Sequence, residues 1–417
     1  MRFLGFTALL LIGQAAHSLA QTNDESAETG VAEEEAIAAD IDGSLDDAYG
    51  SIEISEEQRG LTLTADTRTA YIRTNVDDRD SSNQVEDVLG GRWRVRSTYG
   101  FLPYLRGSVR ISGLCSTNEC KPNLVLQDYI PTNNGMAEGD ITLDEAFLQW
   151  YRLDKFDLAI GRMQTKFVTR GGVFAKSLDR NDSHNFNVNW TDGLHGTLRA
   201  KNGWVSHLIL QHNASEGATN VRRAPLDFDD SGARVSYFVA FENLERRPLF
   251  LQRALDISYL PKSLLKDGTQ SGRRVDYYGV VLRSANRWPE RDDGIRLRIA
   301  AELGYAPETQ TLAAASLAGS GDTDGLGWNV VLSLMDFKPH HSIGVNYGRV
   351  GAGWLLSPQF RPNESLAEIH YQWRRSRDLA IDIRMRQREE LEQLVLTDRR
   401  QKELDFFVRF TWGTTIR

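Results

Sequence analysis

Beyond its first twenty residues the chain has no apolar run of the length that a membrane-spanning helix needs, and its mean hydropathy is −0.42. That argues against a helical membrane protein. It leaves a membrane β-barrel open, because barrel strands alternate lipid-facing with lumen-facing residues and average to neutral. Cysteine is nearly missing as well: only Cys115 and Cys120 occur, in LCSTNECKP. In an oxidising compartment so close a pair points to a disulfide bracing a loop tip, with a metal or catalytic pair as the alternative. Positive charge is absent from residues 21–58, which hold about thirteen carboxylates and few large apolar side chains. Such a segment cannot bury enough to order itself and reads as an acidic, flexible tail. The tail accounts for the formal net charge of −8, since the rest of the chain is slightly basic. Catalytic signatures are missing too. The eight histidines scatter without metal-ligand spacing, no glycine loop suited to phosphate occurs, and nothing points to a cofactor or to nucleic acid.

What is present begins with Arg2, the apolar run FLGFTALLLIG and the small-residue stretch QAAHSLA. This is the pattern of a secretory signal peptide over 1–20, cut after Ala20. The mature chain is therefore expected outside the cytoplasm, with a periplasmic tail over 21–58 and one folded domain over 59–417.

From Leu61 onward one theme repeats: a segment alternating apolar with polar residues, then a turn or loop. In LTLTADTRTAYIR, Leu61, Leu63, Ala65 and Tyr71 share one face, and Thr62, Thr64, Asp66 and Arg68 the other. GIRLRIAAEL sets Ile295, Leu297, Ile299 and Ala301 against Arg296, Arg298 and Glu302. LAIDIRMRQ sets Leu379, Ile381, Ile383 and Met385 against Asp382, Arg384 and Arg386, and ELDFFVRFTW alternates in the same way. Strands are predicted over 61–73, 91–99, 104–113, 141–151, 156–163, 192–200, 204–212, 232–242, 249–259, 274–284, 294–304, 326–336, 341–349, 364–374, 378–389 and 402–412.

The connections carry a second signal. After even-numbered strands they are mostly tight (GFLP, AKNG, RSR). After odd-numbered strands they are long and polar: TNVDDRDSSNQVEDVLG, the cysteine loop, 164–191 and 305–325. Membrane barrels keep this phase, with short periplasmic turns and long extracellular loops, whereas a soluble sandwich or propeller has no reason to. The fold class expected is all-β, a transmembrane antiparallel β-barrel of about sixteen strands. The connection 285–293 is longer than a turn should be, which makes the strands flanking it the weakest pair.

With these features the sequence resembles the sixteen-stranded porins of Gram-negative outer membranes, including phosphate-selective and other substrate-preferring members. The resemblance rests on ITLDEAFLQWYRLDKFDLAIGRMQTKF, a hairpin ending in Gly161 and Arg162 before a long third loop, and on the aromatic-rich final strand FFVRFTW. It implies a location in the outer membrane among lipid and lipopolysaccharide, delivery by the barrel-assembly machinery through the last strand, and a homotrimer. Family members usually end on Phe or Trp, whereas here GTTIR follows Trp412 as a short overhang.

A passive channel needs a polar lumen and selecting charges rather than a catalytic group. The predicted inward positions are rich in arginine: Arg92, Arg94, Arg96, Arg106, Arg110, Arg296, Arg298, Arg384 and Arg386. Several of these could line one wall and favour anions, because the guanidinium stays charged and suits carboxylates and phosphates. The alternative is that they pair with inward acids such as Glu145, Asp157, Glu302, Glu368 and Asp382 and only keep the interior polar. The resemblance further implies that the loop over 164–191 folds inward as a constriction. Lys166, Arg170, Lys176, Asp179, Arg180 and Asp182 would then face the path, and Gly171 and Gly172 would allow the bend. An exposed loop is the alternative. Outward Tyr71, Trp93, Trp150, Trp204, Trp328, Trp373 and Trp412 fall near strand ends, as in an interfacial girdle. The string His340, His341, Ser342 suggests a nucleophile and base, but it sits at a predicted turn with no orienting acid, so an enzyme is not expected. The function implied is passive diffusion of small hydrophilic solutes with a mild anion preference. The rivals are a substrate-specific channel for phosphate, sugar acids or polysaccharide, and a barrel enzyme or adhesin.

Overall fold

A computed structural model describes residues 60–416 apart from 122, 125–138, 153–154, 166, 175–176, 179–189, 201–202, 214–233, 244–248, 269–273, 289–294, 358 and 377. The predicted signal peptide and acidic tail lie outside the described residues. Seventeen strands follow in chain order: β1 (Gly60–Asp77), β2 (Asn83–Leu102), β3 (Leu105–Ser116), β4 (Asn123–Leu124), β5 (Asp140–Arg152), β6 (Phe156–Met163), β7 (Thr191–Arg199), β8 (Trp204–Asn213), β9 (Arg234–Asn243), β10 (Phe250–Leu265), β11 (Arg274–Arg287), β12 (Arg296–Tyr305), β13 (Leu326–Lys338), β14 (His341–Val350), β15 (Glu364–Arg374), β16 (Leu379–Glu390) and β17 (Lys402–Ile416). Two-residue β4 runs parallel to β5. The other sixteen pair antiparallel in sequence order, and β1 bonds to both β2 and β17, so the sheet closes into a barrel.

Period-two alternation decides which way each side chain points. On β14, Ile343, Val345, Tyr347 and Arg349 are exposed while Ser342, Asn346 and Val350 are buried. On β16, Ile383 and Met385 face out and Asp382 and Arg384 face in. The outward face carries large exposed apolar side chains on strand after strand, among them Val109, Leu148, Ile160, Leu208, Leu282, Leu303, Leu332, Ile369 and Phe406. A soluble protein does not leave such a belt in water. Tyr71, Trp150 and Trp204 are exposed on this side, and Trp93 lies flat over Gly113, where a Cβ would come within 2.4 Å of the indole.

Every predicted barrel strand has its counterpart, with four differences. Residues 74–90 are not a long loop. β1 continues to Asp77 and β2 resumes at Asn83, in register from Gly60↔Gly100 to Asp77↔Asn83, so polar strand extends past the apolar belt. β10 runs to Leu265, past the predicted end at 259. β11 continues to Arg287 and pairs with β12 from Val280↔Tyr305 to Arg287↔Arg298, so the pair expected to be weakest is an ordinary one. GTTIR is not an overhang, because β17 extends to Ile416 and pairs with Leu63 of β1.

Candidate functional site in the barrel lumen

Inward-facing arginines on five adjacent strands form a diagonal staircase. On β16, Arg388, Arg386 and Arg384 follow one another from the long-loop end toward the short-turn end, each step spanning roughly 7 Å. Arg384 lies opposite Phe407 of β17, and Arg409 is one inward position further on. Arg409 lies opposite Ala70 of β1, next to inward Arg68, and Arg68 faces Arg92 of β2. Arg94 and Arg96 continue along β2, Arg96 faces Arg110 of β3, and Arg106 ends the row. Seven of the nine predicted lumen arginines therefore stand on one wall. Arg296 and Arg298 do not join them: they face in from β12, where Arg296 pairs with Asp336.

Carboxylates lie along the same wall. Arg92 contacts Asp66 at 3.3 Å, Arg94 contacts Asp144 at 3.5 Å, and Arg409 contacts Asp382 at 2.7 Å. Arg110 contacts both Asp144 and Glu145 at 2.7 Å, Arg96 reaches Glu145 at 2.8 Å, and Arg386 pairs with Asp405. Much of the charge is thus paired, as the bland alternative expects, but not one for one. Asp144 serves Arg94 and Arg110 and Glu145 serves Arg96 and Arg110, so three arginines share two carboxylates, whereas Arg361 and Arg388 have both Glu364 and Glu403. Arg106 donates to the neutral amide of Gln149 at 2.8 Å. Arg384 is 8% exposed, its guanidinium lies 5.2 Å from the Phe407 ring centroid, and its Nε has no hydrogen-bond partner among the described residues.

The segment after β6 lies against the opposite wall, inside the barrel. Gln252 of β10 donates to Val168 O and accepts from Arg170 N, both at 2.9 Å, and Arg283 of β11 donates to Val168 O at 2.7 Å. Glu302 of β12 accepts from the Thr169 hydroxyl and from Leu178 N at 3.0 Å, and Ser333 of β13 donates to Gly171 O at 2.6 Å. Glycine is required at the closest approach: Gly172 has φ +87°, and a Cβ there would lie 2.7 Å from Ser333. Of the predicted loop residues, Arg170 is half-buried here. Lys166, Lys176, Asp179, Arg180 and Asp182 lie outside the described residues.

A second inward segment was missed. Residues 351–357 and 359–360, between β14 and β15, are buried, with Trp354 and Leu356 at 0% exposure. Trp354 sits on a floor of inward glycines, where Cβ atoms at Gly304, Gly279 and Gly327 would lie 2.8, 3.4 and 3.5 Å from its indole. Its Nε1 donates to Leu178 O at 2.9 Å, and Ser357 Oγ donates to Ser177 O at 3.2 Å, tying this segment to the one after β6. Together with Phe238, Tyr277, Val281 and Leu366 the two segments form an apolar core inside the barrel. The sequence held a signal for it: GWLLSPQF is too apolar for an exposed loop.

Elsewhere, Cys115 at the end of β3 is joined in a disulfide to Cys120 in the turn that follows. Ser342 and His341 point to opposite faces of β14. The Ser342 hydroxyl accepts from Asp336 N at 3.1 Å and His341 meets Tyr371 at 2.5 Å, so they make no nucleophile and base. At the long-loop end Lys266 donates to Asp322 at 3.1 Å and Glu308 at 3.2 Å, and those two bonds hold its ammonium above the ordinary lysine range.

No family model matches the chain, and no curated protein matches it in sequence. Solved structures do match. The chain is similar to OprB of Pseudomonas putida at high pH, with 11% identity over 85% of this chain and 94% of that one, at a TM-score of 0.55. It is also similar to OccK11 (OpdR) of Pseudomonas aeruginosa, with 12% identity over 87% of this chain and 100% of that one, at a TM-score of 0.50. At these identities the likeness is one of fold, and the fold is a closed, sixteen-stranded antiparallel β-barrel of the outer-membrane kind.

Proposed function

We propose that the chain is a porin of a Gram-negative outer membrane, passing small hydrophilic solutes by diffusion with a preference for anions. The continuous apolar belt supports the membrane location, since an antiparallel barrel is the one sheet that leaves no backbone group unpaired in lipid. The arginine staircase carries the functional reading. Arg94, Arg96 and Arg110 share two carboxylates and Arg384 has none within 4 Å among the described residues, which favours a net positive wall along which an anion moving from Arg388 to Arg106 would have a guanidinium within a short step. Residues 167–174, 177–178, 351–357 and 359–360 occupy the other side of the lumen and would form the constriction, excluding solutes by size. Among the described residues no acid, base and nucleophile are brought together along this path, so the staircase is read as a selecting surface and not an active site.

The second inward segment favours a substrate-specific channel over a general one, because it leaves a one-sided path rather than an open bore. Assembly as a trimer and recognition of β17 by the assembly machinery extend the same reading. Planar-bilayer recording tests it. Stepwise conductance is expected, with a reversal potential of anion-selective sign in a salt gradient. A heat-modifiable, folded protein that gives no steps would refute the channel, and a cation-selective potential would refute the anion preference. Small, uniform steps would mark the specific channel.

A further inference from the structure

We infer that His195 and His207, with Thr197, form a binding site for a divalent transition-metal ion such as Zn²⁺ on the inner wall at β7 and β8. The two histidines are twelve residues apart and carry no metal spacing in the sequence, but the β7–β8 register places His207 opposite Thr197, one inward position from His195. His195 Nε2 and His207 Nδ1 face one another at 3.2 Å. Thr197 Oγ1 lies 3.4 Å from the first and 3.3 Å from the second. A tetrahedral ion with Zn–N bonds of 2.0–2.1 Å spaces its ligand atoms about 3.3 Å apart, so these three atoms already describe one face of such a tetrahedron.

The ligand types select the ion. Imidazole suits Zn²⁺, Cu²⁺ and Ni²⁺ and not Mg²⁺ or Ca²⁺, which take oxygen. Among the described residues no three His, Cys, Asp or Glu side chains converge, so the hydroxyl takes the third vertex and water the fourth. Asp157 of β6 is the cross-strand neighbour of Thr197, and its Oδ1 is buried without a hydrogen-bond partner among the described residues. That oxygen is left to accept from a water bound at the ion, as outer-shell carboxylates commonly do. Arg199 and Arg283 do bring positive charge toward the site, but each is paired, Arg199 with Asp157 and Arg283 with Glu242 and Asp256, so acids offset them there. The Phe167 ring, 6.1 Å from that of His207, screens the site on the side of the inward segment.

The test is calorimetric titration of the detergent-solubilised full chain with ZnCl₂, with MgCl₂ as the control. One Zn²⁺ per barrel is expected, weakened tenfold or more in His195→Ala and in His207→Gln, with both variants still heat-modifiable on gels. Cu²⁺ at the same site should give an electron paramagnetic resonance spectrum split by two imidazole nitrogens. If His207→Gln fails to fold, half-exposed His195 decides the matter alone. Folded wild-type protein that takes up no Zn²⁺, or His195→Ala that binds it as well as the wild type, overturns the assignment and leaves an ordinary hydrogen-bonded cluster. Because binding is read without a bilayer, its failure is distinguishable from failure of the channel reading.

Discussion

Replacing Trp354 by alanine tests the inner packing most directly. The indole is fully enclosed, rests on glycines of three strands and makes one hydrogen bond, to Leu178 O. Truncating such a residue costs about 3–5 kcal/mol through lost burial and the cavity left behind. The cavity borders a polar lumen and water can fill part of it, so the lower end, about 3 kcal/mol, is expected. Trp354→Phe keeps most of the ring and loses the N–H donor, leaving Leu178 O unsatisfied at about 1–3 kcal/mol. Gly304→Ala approaches from the other side: its Cβ would lie 2.8 Å from the indole, forcing a shift worth about 1–3 kcal/mol. The assay is the temperature at which detergent-solubilised barrel loses its compact mobility on unheated gels. Trp354→Ala should fall furthest, with Trp354→Phe and Gly304→Ala between it and the wild type. If Trp354→Ala unfolds at the wild-type temperature, segment 351–360 is not seated as described, and the reasoning from the glycine floor fails with it.

Three further outcomes follow. Arg384→Gln removes a guanidinium with no carboxylate within 4 Å among the described residues, which at about 5 Å from a permeating anion in a water-like medium is worth about 1 kcal/mol, or roughly fivefold in anion preference. Bilayer reversal potentials should move accordingly while Arg384→Lys stays near the wild type; equal loss in both variants would count against a charge effect. Glu302→Gln replaces one of the two carboxylate oxygens, which accept separately from the Thr169 hydroxyl and Leu178 N–H, by an N–H₂ that cannot accept, so it should loosen the segment after β6, at about 1–3 kcal/mol. Noisier or larger single-channel steps are expected, and a record identical to the wild type would contradict the anchoring role. Reducing Cys115–Cys120 should leave heat-resistant mobility intact, because Ser116 N also donates to Glu119 O at 2.9 Å in the same turn; loss of that mobility would show that the bond carries the barrel.

The wall of the barrel was legible because each strand must alternate to satisfy lipid on one side and water on the other, and that constraint is local. Leu379, Ile381, Ile383 and Met385 against Asp382, Arg384 and Arg386 can be read from one strand alone. The extension of β1 and β2 was not legible, since above the apolar belt nothing demands alternation: Asn83, Gln84, Val85 and Glu86 are all exposed. The ion pairs were legible only as a set of inward charges. Whether Arg110 takes Asp144, Glu145 or both depends on the irregularity between Arg110 and Ile111, which shifts β5 against β3. The inward fold of 351–357 depended on glycines from β11, β12 and β13, each unremarkable in its own strand and meaningful only once the register stacks them under Trp354.

The two halves of the lumen are coupled by this arrangement. The apolar core on one side would replace water with side chains of low polarisability, and the arginine staircase stands on the other. A solute passing between them would meet the guanidiniums in a medium of lower effective dielectric than an open, water-filled bore would provide, so each pairing would be worth more than its distance in water implies. On the proposed function, the hydrogen bond from Trp354 to Leu178 O, and those from Leu178 N and Thr169 to Glu302, would therefore act on selectivity as well as on stability. A variant that unseats the core should widen the path and weaken discrimination together. A larger bore with undiminished anion preference would mean that the staircase alone sets the selectivity.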